Sequence, residues 1–241
     1  MLNTAAVPLD EMPRHGTLVA PGLKAPIHHH IFCVRLDMSV DGPNNSVYEV
    51  DLEQEEDDMN PYGNAAYAKS TLLTSEQSAK RIIDPFKARH WKIANSTKKN
   101  AMGYSTAFKL LPGENTLPTG KATAAVMKRA EFMTKHLWVT PYKEDEMFPT
   151  GKYPNQGSGG EGIGKWTEAN RSVTDTDVVV WYTFAHAHIP RAEDWPVMPV
   201  GYIGFLLKPV NFFDQNPSND VPATPKNASR RACCSTMNGV L

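Results

Sequence analysis

Three histidines stand in a row at 28–30, inside the apolar stretch "IHHHIF". On a β-strand, residues two apart point to the same face, about 6.6 Å apart along the chain. His28 and His30 can therefore converge on one ion, while His29 points away. Imidazole is a usual protein ligand for copper and zinc. Such a pair needs further ligands, and "FAHAHIP" offers His186 and His188 at the end of a second strand pattern. By spacing alone the set fits a copper site. It fits equally a zinc site with three histidines and a water, as in lyases or hydrolases. His15, His90 and His136 are isolated and read as surface or satisfied core residues. Acids accompany both histidine segments, Asp37 after His30 and Asp177 before His188. They read as solvent-facing carboxylates, or as part of a second, hard-cation site completed by backbone carbonyls.

The elements that must position these residues are strands. Val34, Leu36, Met38 and Val40 alternate with Arg35, Asp37 and Ser39, the pattern of a half-buried strand. The cluster "DGPNNS" at 41–46 reads as a turn and "VYEVDL" resumes the strand, so 31–52 is predicted to be a hairpin. "EQEEDD" at 53–58 reads as a solvated loop. Further strands are expected at 104–111, 136–140, 177–184 and 200–207. One helix is expected from Thr74, with Thr74 as N-cap, Gln77 three residues on, and Pro85 as its stop. The 19 prolines are spread throughout, which argues against long helices. The Gly-rich segment 153–166 lacks the Gly-Lys-Ser/Thr ending of a phosphate loop and is expected to have no helix after it. Residues after Phe213 are polar and Pro/Asn/Ser-rich, and 222–241 reads as a disordered tail.

Of 241 residues, 41% are hydrophobic and 21% charged, a globular composition long enough for one large β domain or two small ones. A net charge of −1 gives no pull toward nucleic acid or a membrane surface, so neither partner is expected. No stretch approaches the roughly 18 apolar residues of a spanning helix. The start, "MLNTAAVPLDEMPRHG", has no basic segment followed by a long apolar run, and no secretory signal is read there. Cys33, Cys233 and Cys234 do not make a disulfide framework. The expected setting is a reduced compartment, cytoplasmic or peroxisomal rather than secreted. On that reading the sequons at Asn44, Asn95, Asn170 and Asn227 arise by chance.

Four segments, in order, resemble the C-terminal catalytic domain of the copper-containing amine oxidases. They are "HHHIFCVRLDMSVDGPNNSVYEVD", "TKHLWVTPYKEDEMFPTGKYPNQ", "KWTEANRSVTDTDVVVWYTF", and "HIPRAEDWPVMPV" followed by "GFLLKPVNFFDQNP". The resemblance covers about residues 2–221. It implies part of a large β-sandwich catalytic domain, mainly β with few short helices, and a tight homodimer. It implies oxidation of a primary amine by O₂ and water to an aldehyde, ammonia and H₂O₂. It implies copper held by His28, His30 and His188, the last matched because "IPRAEDWPVMP" follows it. His186 falls where the family usually has another residue and is left out. A peripheral divalent cation, calcium or manganese, is implied at Asp37, the Met38 carbonyl, Asp177 and the Val178 carbonyl. Ser39 replaces a further carboxylate often found there, which weakens that site.

The resemblance also implies a quinone cofactor, topaquinone, made from the tyrosine of an Asn-Tyr-Asp/Glu-Tyr motif. None of the eight tyrosines here follows an asparagine. The quinone tyrosine and the catalytic aspartate base are expected upstream of these residues, so no catalytic residue is assigned within them. The chain is expected to be a fragment carrying the copper ligands, inactive toward amines by itself. The alternative is a non-enzymatic copper-binding or dimerising fragment, or a pseudoenzyme.

Overall fold

The computed structural model describes residues 4–8, 14–155 and 157–221; expectations for 222–241, including Cys233, Cys234 and Asn227, lie outside the described residues. The strands are β1 (Ala5–Ala6), β2 (Gly16–Ala20), β3 (Leu23–Pro26), β4 (His28–Met38), β5 (Ser46–Gln54), β6 (Ala66–Leu73), β7 (His90–Lys99), β8 (Ser105–Pro112), β9 (Leu137–Pro141), β10 (Val178–His188) and β11 (Phe205–Val210). Two short helices, α1 (Ala125–Arg129) and α2 (Ile163–Trp166), complete the regular structure together with single 3₁₀ turns. The sheets are antiparallel, with orders β1-β3-β2, β4-β10-β9 and β11-β8-β7-β5-β6. The architecture is the mainly β one expected, with helices of only a turn or so.

β10 explains how the two larger sheets come together. Its run "VVVWY" is apolar at every position, the pattern of a strand buried on both faces. Val178, Val180 and Tyr182 pack into a core shared with Val47, Trp91, Ile93 and Leu110 of the five-stranded sheet. Val179 and Trp181 point the other way, into a second cluster with Trp138 and Ile163. Each such fully buried side chain contributes about 1.5–3 kcal/mol. The aromatic polar groups are satisfied: Trp181 Nε1–H donates to Thr140 Oγ1 at 3.1 Å, and Trp138 Nε1–H to the Phe132 carbonyl at 2.9 Å.

β4 pairs with β10 over its full length, from His28 opposite His188 to Met38 opposite Val178. Val34, Leu36 and Met38 face the shared core, as their alternation predicts. The predicted hairpin 31–52 is not formed. β4 lies in one sheet and β5 in the other, and the turn 41–46 carries the chain between them. Asn45, fully buried, makes that crossing possible. Its Oδ1 accepts the Val40 N–H at 2.9 Å and its Nδ2–H donates to the Val40 carbonyl at 3.0 Å. A polar turn cluster between two strand patterns does not say whether the strands pair with each other or face each other.

The helix expected from Thr74 is also absent. Residues 75–79 make one turn, closed by Ala79 N–H to the Ser75 carbonyl at 3.0 Å, and single bridges at Ser75–Ser172 and Arg81–Leu137 follow the flanking chain. Glu76 is fully buried against Arg171, and Gln77 Nε2–H donates to the Thr167 carbonyl at 2.8 Å. Tertiary pairing of these side chains overrides the local helix signal. Two boundaries move. Glu53 and Gln54 belong to β5 rather than to a loop, and the strand expected at 200–207 runs over Phe205–Val210. A helix does close the Gly-rich segment, the four-residue α2.

Candidate metal centre

The histidines sit where β4 and β10 outrun their neighbours. β9 pairs with β10 only through Tyr182, so residues 183–188 have β4 on one side and, among the described residues, no strand on the other. Asn115 takes the place of that strand. Its Oδ1 accepts the Ala185 N–H at 2.7 Å, and its Nδ2–H donates to the Thr183 carbonyl at 3.1 Å. The end of β10 is thereby held straight and in register up to His188.

That register brings His28 opposite His188 and His30 opposite His186, all on one face. Three of the four rings converge. His28 Nε2 lies 3.0 Å from His30 Nε2 and 3.3 Å from His188 Nδ1. Their ligand atoms all fall within 4.8 Å of one another, and His186 is outside this set. His29 alternates to the other face.

Hydrogen bonds fix which nitrogen of two rings carries the lone pair. Carbonyl and carboxylate oxygens only accept, so the ring nitrogen facing one must donate. His28 Nδ1 lies 2.9 Å from the Pro26 carbonyl, which leaves Nε2 as its lone pair. His188 Nε2 lies 2.9 Å from Asp194 Oδ2, which leaves Nδ1. Two lone pairs therefore face each other at 3.3 Å, an arrangement that a cation stabilises. Four-coordinate bonds of about 2.0–2.1 Å to imidazole put neighbouring nitrogens about 3.3 Å apart. The 3.0 and 3.3 Å separations from His28 Nε2 are close to that spacing, and imidazole nitrogen is a donor that both copper and zinc take. Burial first, then the His28 and His188 rings, hold His30 below the ordinary imidazole range, which favours its neutral, ligating form.

The histidine spacing in the sequence does not point to Asp194. It is 2% exposed, and its Oδ2 also accepts the Arg191 N–H at 3.0 Å. The hydrogen bond from His188, and next that from the Arg191 backbone, pull its carboxyl down to about 2, so it stays charged. It lies six residues after His188, within "EDWP", and a carboxylate held behind a ligating imidazole is a recurring feature of metal sites. A cavity of about 510 Å³ opens onto the cluster, lined by His30, Phe32, His186, His188, Arg191 and Asp194 among others.

The other histidines do not join the cluster. His136 is buried and its Nδ1 accepts the Ile83 N–H at 3.2 Å, but its Nε2 is buried without a hydrogen-bond partner among the described residues, so this core residue is only half satisfied rather than fully satisfied as expected. The second cation's candidates lie at the opposite end of the same strand pair, ten residues or about 30 Å away. Met38 stands opposite Val178 there, with Asp37 and Asp177 beside them. The Asp37 carboxylate is half-exposed and accepts from Arg35 Nη1 at 3.0 Å.

Comparison with known proteins returns one family. The description "Copper amine oxidase, enzyme domain" matches residues 1–228. A copper methylamine oxidase of Arthrobacter sp. (strain P1) is 44% identical over 98% of this chain and 37% of its own length. A peroxisomal copper-containing diamine oxidase of Nicotiana tabacum is 44% identical over 92% of this chain and 29% of its own. Among solved structures, a copper-containing benzylamine oxidase from Hansenula polymorpha superposes with a TM-score of 0.86 at 33% identity, over 92% of this chain and 35% of its own. The chain thus spans about a third of the length of these relatives.

Proposed function

The chain belongs to the copper amine oxidase family, and we propose that His28, His30 and His188 hold its copper ion. The observation that carries this is the convergence of three imidazole nitrogens, with separations of 3.0 and 3.3 Å from His28 Nε2. Family membership selects copper over zinc. When bound, copper supplies the Lewis-acid and redox centre beside which the family's quinone forms. The chain's own residues hold the ligand atoms: Pro26 and Asp194 set two tautomers, and Asn115 fixes the strand end that presents His188. Equilibrium dialysis against Cu(II) tests the assignment. One copper retained per chain is expected, and none retained overturns it.

For the whole protein the reading is oxidation of a primary amine by O₂, as the names of the relatives suggest. Residues 1–221 contribute the copper-binding portion of the catalytic domain. The quinone tyrosine is assigned outside the 241 residues, because no tyrosine here follows an asparagine, and the general base is assigned there with it, as the family resemblance implies. The 241-residue chain by itself is therefore expected to release no H₂O₂ from primary amines and to give no quinone stain; either signal would overturn this part. Asp37, Asp177 and the carbonyls of Met38 and Val178 are the proposed ligands of a second, weaker cation such as calcium or manganese, supported by the β4–β10 register. Assembly as a homodimer is proposed with the family. A peroxisomal setting is supported by the tobacco relative's name. Among the described residues no helix is long and apolar enough to cross a membrane.

A further inference from the structure

We propose that His186 is a landing ligand, which captures a copper ion from solvent and passes it to the three-histidine cluster. The proposal rests on the reading of His28, His30 and His188 as copper ligands. Its basis is the arrangement of four histidines in a two-by-two block across β4 and β10, with His186 opposite His30 and His188 opposite His28. Cross-strand partners in such a pair stand close enough for their side chains to share one ion.

The four rings differ in exposure. His28, His30 and His188 are half-buried and His186 is exposed, so an ion arriving from solvent meets His186 first. The His186 ring stacks at 6.2 Å from that of His188, an angle of 27° apart, and both line the same cavity. His186 lies outside the set whose ligand atoms fall within 4.8 Å of one another, yet its ring is near enough to that of His188 for a handover. The other charged groups on the wall are committed. Both Asp194 oxygens already accept, from His188 and from Arg191, and Arg191 is a cation with no lone pair to offer. His186 is thus the imidazole on this wall that can replace water on a hydrated ion while leaving the cluster intact.

The handover involves no redox step. Water ligands leave, His186 and His30 bind, and the His186–metal bond then breaks as those to His28 and His188 form.

The experiment is stopped-flow uptake of Cu(II), supplied as a weak glycine complex, by the metal-free 241-residue chain. His186→Leu and His186→Gln are compared with wild type, and His29→Leu, on the opposite face of β4, serves as control. The expected result is uptake slowed at least several-fold in both His186 variants. Final stoichiometry and competition-measured affinity should be unchanged, and His29→Leu should behave as wild type. Wild-type rates in the His186 variants would overturn the proposal. So would a parallel loss of final affinity, which would make His186 a resident ligand. Failure of the wild type to take up copper, or equal uptake by His188→Ala, would instead overturn the three-histidine reading.

Discussion

His188 Nε2–H donates to Asp194 Oδ2 at 2.9 Å, and this bond decides which side of the His188 ring faces His28. A ring free to flip would present either nitrogen. Removing the carboxylate as Asp194→Ala should lower copper affinity about 10–100-fold, the usual cost of losing such a partner. Asp194→Asn keeps an acceptor oxygen and should lose less. Chelator competition measures both, and wild-type affinity in Asp194→Ala would show that Asp194 is not needed to position the ring.

Glu76 and Arg171 clamp the segment that replaces the expected helix. Glu76 is fully buried and takes three hydrogen bonds from Arg171: the backbone N–H at 2.7 Å, Nε at 3.0 Å and Nη2 at 2.6 Å. Glu76→Ala leaves the guanidinium half-paired with Glu146 in a desolvated place, and should cost about 3–5 kcal/mol in urea denaturation. A cost of about 1 kcal/mol or less, typical of an exposed pair, would contradict the clamp.

His136 gives the fold an acid sensitivity. Burial pushes its pKa from an ordinary 6.5 down to about 4, so the folded protein keeps it neutral. An unfolded chain takes up that proton at higher pH than the folded one. The stabilisation is therefore complete above pH 6.5 and is lost as the pH falls through 6.5 toward 4, by about 3 kcal/mol at most. Thermal midpoints across this range should fall less steeply in His136→Asn than in wild type. Equal slopes would mean that His136 does not carry the effect.

Much of the site was legible from spacing. A histidine pair two residues apart on a strand must share a face, and His28 and His30 do. The alternation through Val34, Leu36 and Met38 identified the buried face of the same strand correctly. What spacing could not supply was pairing. The partner of β4 is β10, some 150 residues away, and not the adjacent β5. A turn-forming cluster at 41–46 reads the same for a hairpin as for a crossing between sheets; the difference lies in Asn45, whose burial is a property of the fold. The Thr74 segment has a good local helix signal, but Glu76 and Gln77 find partners near residue 170, and such distant bonds leave no trace in local pattern. Choosing His188 over His186 required the resemblance, because both share strand and face. The geometry now separates them: His188 lies within ligating distance of His28 and His186 does not.

The proposed centre holds one copper ion among His28, His30 and His188. Metal analysis after copper loading and desalting, on wild type and His188→Ala side by side, tests it most directly. One tightly held copper per wild-type chain and almost none in His188→Ala are expected, with both chains equally folded by circular dichroism. Equal copper in the two would contradict it.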